Sequence, residues 1–355
     1  MYTKFTVRNF RGFKDLKVEG FERINLIAGV NNIGKTALLE ALFLHSGAYN
    51  PELALRVNAF RGMESMTIEL AKWSESPWDS LFNLYNTHDS IELIGEHTVI
   101  GSRTLRLRTV EKPDELENLE KFIKLREAAP ELSSLSEPAK ILKLEFNGNE
   151  YYMILGPGRP LVKPFPSAPP FPVFFLASRV KIPPKDDADL YGKLATNKKE
   201  KILLEVLKLI EPRLEGLSVN IAMGEPMLHG DVGEERLLPL PVMGEGMVRL
   251  ASSILRIANA PNGVVLVDEI ENGIHHSNMP KLWSAIGKVA REFNTQVFAT
   301  THSLECIKAA HGAFKESGIY DFRVHRLQST KEGIQAVTYD QEDLETAFEI
   351  GLEVR

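Results

Sequence analysis

Eight residues, Gly29-Val-Asn-Asn-Ile-Gly34-Lys35-Thr36, fit the spacing G-x-x-x-x-G-K-S/T. Glycines so placed let successive backbone N–H groups turn inward and cradle phosphate oxygens at a helix N-terminus. Lys35 has the reach for β- and γ-phosphates, and Thr36 carries the hydroxyl that binds Mg²⁺ in such loops. Asn31, Asn32 and Ile33 inside the loop, with Ala37 just past it, complete the expected phosphate-binding set. A second constellation is Gly263-Val-Val-Leu-Val-Asp268-Glu269, an apolar run ending in two carboxylates. Buried parallel strands read this way, and their carboxyl ends are where α/β sheets place ligand chemistry. Asp268 is the expected acidic partner of Thr36 at the metal, and Glu269 the group that polarises an attacking water. The apolar stretch Gln296-Val-Phe-Ala-Thr-Thr301 then ends in His302-Ser303, where an imidazole can hydrogen-bond a γ-phosphate oxygen. The chemistry so assembled is binding and hydrolysis of a Mg²⁺-bound nucleoside triphosphate such as ATP.

These groups need elements to hold them. The apolar strand Ile24–Ala28 enters the loop and the helical stretch Ala37–Leu44 leaves it. Upstream, strands Thr3–Val7 and Leu16–Val18 flank Asn9-Phe-Arg-Gly-Phe13; downstream, Pro51 to Met63 reads as irregular. Period-two alternation then predicts antiparallel strands at Met66–Leu70, Ser90–Ile94, His97–Ile100 and Thr104–Arg108, followed by a polar helix over Lys112 to Ala128. Leu142–Phe146 and Tyr151–Leu155 form a hairpin about Asn147-Gly148. A proline-rich stretch, Gly156 to Pro172, precedes the apolar strand Val173–Leu176, and Pro183 to Asp187 reads as a surface turn. Beyond it lie a helix over Lys199 to Ile210 and short strands at Leu217–Ile221 and Leu237–Leu240. From Gly246 the order is helix to Ala258, strand Val264–Val267, helix His276–Glu292, strand Gln296–Thr300 and helix Leu304–Ala313, the α/β alternation. The expected organisation is one α/β nucleotide-binding head. Residues 1–63 carry the phosphate loop, 64–172 an inserted β/α lobe, 173–330 the acidic strand and histidine, and 331–355 a terminal strand and helix.

Composition narrows the class. Of 355 residues, 43% are hydrophobic and 25% charged, ordinary for a globular protein. The single cysteine, Cys306, excludes an internal disulfide and is expected to be buried. No leader-like run opens the chain and no segment approaches the about 20 apolar residues a bilayer requires, so a cytoplasmic location is expected. A net charge of −6 argues against a large basic surface for nucleic acid. Lys198-Lys-Glu-Lys201 reads as a solvated helix start. Asn197-Lys-Lys-Glu200 approaches the guanine motif Asn-Lys-x-Asp but ends in Glu and precedes the acidic strand, the wrong order for a GTPase. His275-His276 beside Glu271 lacks the spacing of a zinc site. Trp73, Trp78 and Phe82 are read as the inserted lobe's core rather than a base-stacking platform.

Five motifs in order carry a resemblance: Asn9-Phe-Arg-Gly12, the phosphate loop, Met243-Gly-Glu-Gly-Met-Val-Arg249, Asp268-Glu-Ile-Glu-Asn-Gly-Ile-His275 and Thr300-Thr-His-Ser303. Together they resemble the ABC-type ATPase heads of the OLD (overcoming lysogenization defect) group, and more distantly RecF and the SMC proteins. The resemblance implies Mg-ATP held between two copies, the phosphate loop of one facing a signature sequence on the other. The signature falls on Gly244, Glu245 and Gly246, whose helix N-terminus would meet the γ-phosphate. Asn9, Phe10 and Arg11 match a motif near the nucleotide, Glu269 the catalytic glutamate, His302 the switch histidine, and Glu271 to His275 the D-loop that crosses the dimer.

Two departures imply slow turnover. Met243 stands where the signature often has Ser, and the first glutamine is Gln296, so no glutamine lies between phosphate loop and signature. The stretch after His302 is too short for the TOPRIM nuclease of OLD proteins, and proline and short strands in 64–172 exclude an SMC coiled coil. The implied role is an ATP-driven homodimeric switch whose effector, a nuclease or toxin, is a separate protein, in bacterial anti-phage defence. The alternative is a RecF- or SMC-like ATPase that binds DNA itself.

Overall fold

The computed structural model describes residues 1–47, 50–62, 76–110, 140–155, 161–164 and 167–355. The chain opens with β1 (Tyr2–Phe10) and β2 (Phe13–Glu19), whose alternating burial gives each strand one core face and one wet face. Then come β3 (Ile24–Ala28), α1 (Lys35–Ser46) and α2 (Leu53–Ala59). Strands β4 (Ile91–His97), β5 (Gly101–Val110), β6 (Lys140–Phe146), β7 (Asn149–Leu155) and β8 (Leu161–Lys163) follow. With the first hairpin they make one antiparallel sheet in the order β2-β1-β4-β5-β6-β7-β8.

The second half supplies β9 (Val173–Leu176), α3 (Pro184–Thr196), α4 (Lys201–Leu207), β10 (Gly216–Ala222), β11 (Glu225–Asp231) and β12 (Leu238–Pro239). It continues with α5 (Glu245–Ala258), β13 (Val264–Val267), α6 (Met279–Glu292), β14 (Gln296–Thr300) and α7 (Leu304–Glu316). β15 (Phe322–Thr330), β16 (Gly333–Tyr339) and α8 (Gln341–Glu349) close the chain. Its six-stranded sheet has the order β16-β15-β3-β14-β13-β9 and is parallel except for the edge strand β16. β10, β11 and β12 form a small third sheet.

Both faces of the parallel sheet are covered, and strand alternation divides its side chains between two cores. Ile27, Val264, Leu266 and Phe298 join α1 and the antiparallel sheet. Ile24, Leu26, Val265, Val267 and Val297 join α5, α6 and α7 on the other side. α1 is therefore packed between sheets and buried nearly all round, which explains the run Ala37–Leu44, apolar except for Glu40.

Several expectations change. The span expected to be irregular after Pro51 contains α2. Thr98 to Ile100 is the turn between β4 and β5, not a strand. The expected surface turn at Pro183 to Asp187 instead opens α3. Pro184 occupies the first helical turn, where its missing N–H costs nothing, and Asp186 and Asp187 complement the helix dipole. Asp187 is then drawn inward, accepting from Arg256 Nη1 at 2.6 Å and from the Ser252 hydroxyl, which ties α3 to α5. β11 was not expected: Met223 and Gly224 form its entry turn with both φ positive, a geometry usually signalled by Asn-Gly. The expected strand at Met66–Leu70 and helix at Lys112 to Ala128 lie outside the described residues.

Candidate nucleotide site

The phosphate loop leaves the carboxyl end of β3 and turns on two glycines. Gly29 has φ +146°, and a Cβ there would lie 2.8 Å from the Leu327 carbonyl oxygen and from Ile33. Gly34, at φ +106°, starts α1; its Cβ would lie 2.7 Å from the Phe13 ring. Neither position admits a side chain, so the loop is seated between β15 and the first hairpin. Asn32, exposed, is also left-handed, at φ +63°. Asn31 is exposed beside it, while Ile33 and Ala37 are buried beneath the turn. No side chain caps the N-terminus of α1 and its first turn carries no acid, leaving an electropositive end suited to phosphate.

Lys35 is buried, and its ammonium donates to the carbonyls of Gly29 (2.7 Å) and Val30 (3.0 Å). Burial holds its pKa below the ordinary value, opposed by the nearby carboxylates of Glu271, Asp268 and Glu269. Three hydroxyls converge on buried Asp268. Thr36 Oγ1 (3.0 Å) and Thr300 Oγ1 (2.7 Å) donate to Oδ1, and Ser178 Oγ (2.9 Å) donates to Oδ2. Thr300 Oγ1 also accepts the Glu269 N–H at 2.7 Å, locking the end of β13 to β14.

Glu269 itself stands at φ +50°, uncommon for a side-chain-bearing residue. Asn272 Nδ2 donates to its Oε2 at 2.7 Å. Arg249 of α5 reaches across to donate to the carbonyls of Asp268 and, at 2.8 Å, Glu269. His302, half-exposed, places Nδ1 3.3 Å from Glu271 Oε1, which also accepts Thr301 Oγ1 (2.7 Å) and the His302 N–H (3.0 Å). The other oxygen of Glu271 is buried with no hydrogen-bond partner among the described residues.

The signature residues form the tip of α5. Gly244 has φ +119°, lies exposed and faces open space; Glu245 beside it is exposed. Gly246 is different, because a Cβ there would run into the Gly273 carbonyl of the following loop.

The N-terminal motif turns inward. Phe10 is fully buried and bridges Phe82, so the expected nucleotide contact from its ring gives way to a core role. Arg11 donates to Glu40 (3.2 Å), Asn58 (2.7 Å) and the Ser80 carbonyl (3.0 Å). Asn9 Nδ2 donates to the carbonyls of Asn86 (3.0 Å) and Asp89 (2.7 Å). Trp78 and Phe82 are core residues, Trp73 lies outside the described residues, and buried Cys306 has its thiol pushed up to about 12 by desolvation.

Sequence reasoning missed Ser178 and, although Thr300, Arg249 and Asn272 stand inside the quoted motifs, assigned them no contact with Asp268 or Glu269. Ser178 and Thr300 sit just past or at the carboxyl ends of β9 and β14, the two neighbours of β13, and that position is the only sequence signal for their contact with Asp268.

A phosphate loop on an inner strand of a parallel sheet, an acidic strand two places away, and an antiparallel sheet packed over the loop's helix define an ABC-type P-loop ATPase head. The chain belongs to the family described as "AAA domain, putative AbiEii toxin, Type IV TA system", whose model matches residues 24–307. Over 375 aligned residues it is 24% identical to an "ATP/GTP phosphatase" of Helicobacter pylori, covering 98% of each chain. A shorter match, 50% identical over 42 residues, spans 12% of this chain and 19% of an uncharacterized protein of Methanocaldococcus jannaschii.

Two solved structures share the fold. One is an Smc head bound to the C-terminal winged-helix domain of ScpA: TM-score 0.51, 12% identity, 97% of this chain and 99% of that one. The other is the Pyrococcus furiosus Smc head with an extended coiled coil, bound to the C-terminal domain of ScpA: TM-score 0.50, 12% identity, 98% of each chain. Among the described residues, no helix is long and apolar enough to cross a membrane.

Proposed function

We propose that this chain is a small OLD-type ATPase that binds Mg-ATP between two copies of itself, hydrolyses it slowly, and thereby switches a separate nuclease or toxin in anti-phage defence. The observation that carries the reading is the pairing of Thr36 Oγ1 with Asp268 Oδ1 at 3.0 Å, beside a glycine-seated loop and an uncapped helix end. A hydroxyl and a carboxylate so placed fit Mg²⁺, which favours few protein ligands and takes the rest from phosphate and water. When bound, the ion neutralises charge on the β- and γ-oxygens. Among the described residues no cluster of three or more His, Cys, Asp or Glu competes as a metal site.

The protein's own groups do the remainder. Lys35 exchanges its loop carbonyls for phosphate oxygens, the exposed N–H groups of the partner's signature close over the γ-phosphate, and Glu269, steadied by Asn272, orients water. His302, held through Nδ1, keeps Nε2 for the nucleotide. Similarity to the Helicobacter pylori "ATP/GTP phosphatase" supports nucleotide hydrolysis. Direct DNA binding draws little support from the antiparallel sheet, where Lys4 is neutralised by Glu19 and Glu96, Arg8 by Asp15 and Glu92, and Arg106 by Glu92.

Sedimentation of the Glu269→Gln variant tests this reading. ATP should shift it to a dimer while turnover falls on the order of 10²-fold; Lys35→Ala should neither bind nor dimerise. A Glu269→Gln protein that stays monomeric at saturating Mg-ATP rejects the sandwich.

A further inference from the structure

The hairpin of β10 and β11 presents a strand edge with no neighbour. β10 pairs with β11 without a break from Gly216 to Ala222, and among the described residues no strand lies on its other side. Its closing pair, Ala222 with Glu225, spans the two-residue turn Met223-Gly224, so the hydrogen-bonding groups of Ala222, Asn220 and Ser218 point at β11. Those of Leu217, Val219 and Ile221 point outward. The Tyr191 hydroxyl of α3 donates to the Leu217 carbonyl at 3.1 Å, whereas Val219 and Ile221 have no such partner among the described residues.

Strand edges are ordinarily blunted by a lysine, a proline, a bulge or a covering element. β10, Gly-Leu-Ser-Val-Asn-Ile-Ala, has no charge and no proline, and its register with β11 has no bulge. Its apolar side chains also face water: Val219 is 40% exposed, Ile221 79%, and Met223 at the turn wholly so.

Charge selects the occupant. From Glu215 to Arg236 the chain carries five acids, Glu215, Glu225, Asp231, Glu234 and Glu235, against one arginine. None of the five is ion-paired among the described residues, and nearby Arg213 is already held by Glu211 at 3.0 Å. A second copy pairing antiparallel about Asn220 would bring each Glu215 toward the other's Glu225, and facing like charges oppose that pairing. A strand carrying Lys or Arg meets the same acids favourably.

We infer that β10 is a docking edge for an extended, basic and apolar segment of another protein, which adds as a further strand through the backbone of Val219 and Ile221. This goes beyond the nucleotide reading and does not depend on it. The edge is nonetheless close to the signature: a Cβ on Gly230 of β11 would lie 2.9 Å from the sulfur of Met243, the residue before Gly244. A partner on β10 is therefore one strand away from the segment that positions the signature tip.

The probes are two end-capped peptides, one alternating Lys with Val and the other Glu with Val. Binding to the full chain is read by fluorescence anisotropy, and amide hydrogen exchange at Val219 and Ile221 by NMR. The Lys–Val peptide should bind about tenfold tighter than the Glu–Val peptide and slow exchange at both amides. Ile221→Lys, at an exposed position, should weaken it about tenfold, as should Val219→Pro, which removes an outward N–H and spares the pairing with β11. Equal affinities, no binding of either peptide, unchanged exchange at the two amides, or binding that survives both variants overturns the inference. So does a nucleotide-free wild type that sediments as a dimer while Ile221→Lys does not, because the edge then belongs to a second copy.

Discussion

Glu271 is the most heavily used side chain near the site after Asp268. One oxygen accepts from Thr301, the His302 backbone and, at 3.3 Å, the His302 ring, while the other is buried without a partner. Leaving a buried acceptor unsatisfied costs about 1–3 kcal/mol, so the arrangement argues for a positioning role rather than a stabilising one. Glu271→Gln is expected to lower kcat about tenfold with KM for ATP changed less than threefold, and to release His302 from a single ring tautomer in nitrogen-15 NMR. An unchanged tautomer with unchanged kcat disposes of this role.

The residues that sequence could name were those with a fixed local spacing. Gly29 to Thr36 and Asp268-Glu269 are contiguous, and the end of an apolar strand marks His302. Ser178 was invisible because it meets Asp268 only through strand pairing; Thr300 and Arg249 stood inside motifs, but their contacts depend on strand pairing and on how α5 crosses β13.

At the scale of elements, the signature tip and the loop after β13 are joined by backbone contact, Gly246 against the Gly273 carbonyl. A methyl group there must push one of them aside. Gly246→Ala is therefore expected to cost about 1–3 kcal/mol of stability and to abolish ATP-dependent dimerisation of a Glu269→Gln protein. Binding of ATP to the monomer should persist, as read by calorimetry beside sedimentation; a double variant that still dimerises refutes the coupling.

The same scale shows where pattern reading fails. α1 was legible from its apolar run after the loop, and the β6–β7 hairpin from Asn147-Gly148. α3 was hidden because two prolines read as a break when one of them is an opening residue, and β11 because a methionine occupies a left-handed turn position.

For the whole molecule, two buried histidines on the α1 side of the parallel sheet cannot readily take up a proton. His45 lies fully buried, sharing hydrogen bonds with Tyr2 and the Arg103 carbonyl; burial, then the Arg103 cation, pushes it down to about 3. His325, between Asn25 and Thr338, is likewise pushed down to about 3, mainly by burial.

Folded values below the unfolded 6.5 mean that the unfolded chain binds more protons in between. The stability they confer is complete above pH 6.5 and is lost as pH falls toward 3. Each histidine should contribute a slope of up to about 1.4 kcal/mol per pH unit below 6. Urea midpoints at pH 7, 6 and 5 should fall in that order, and His325→Gln should flatten the trend if it folds; equal midpoints contradict the assignment. That one sheet is parallel was legible from its unbroken apolar strands. That two sheets enclose α1 was not, since β1 pairs with β4, a partner far away in the chain that no local pattern announces.

β3 has no neighbour close to it in the chain. It hydrogen-bonds to β14, where Ile24 pairs with Val297, and to β15, where it pairs with Phe322. On the ribosome, the strand that leads into the phosphate loop must therefore wait for β14 and β15 before it can be paired. Competence to hold nucleotide arrives only after β15 is made, so a nascent copy lacking that strand stays silent.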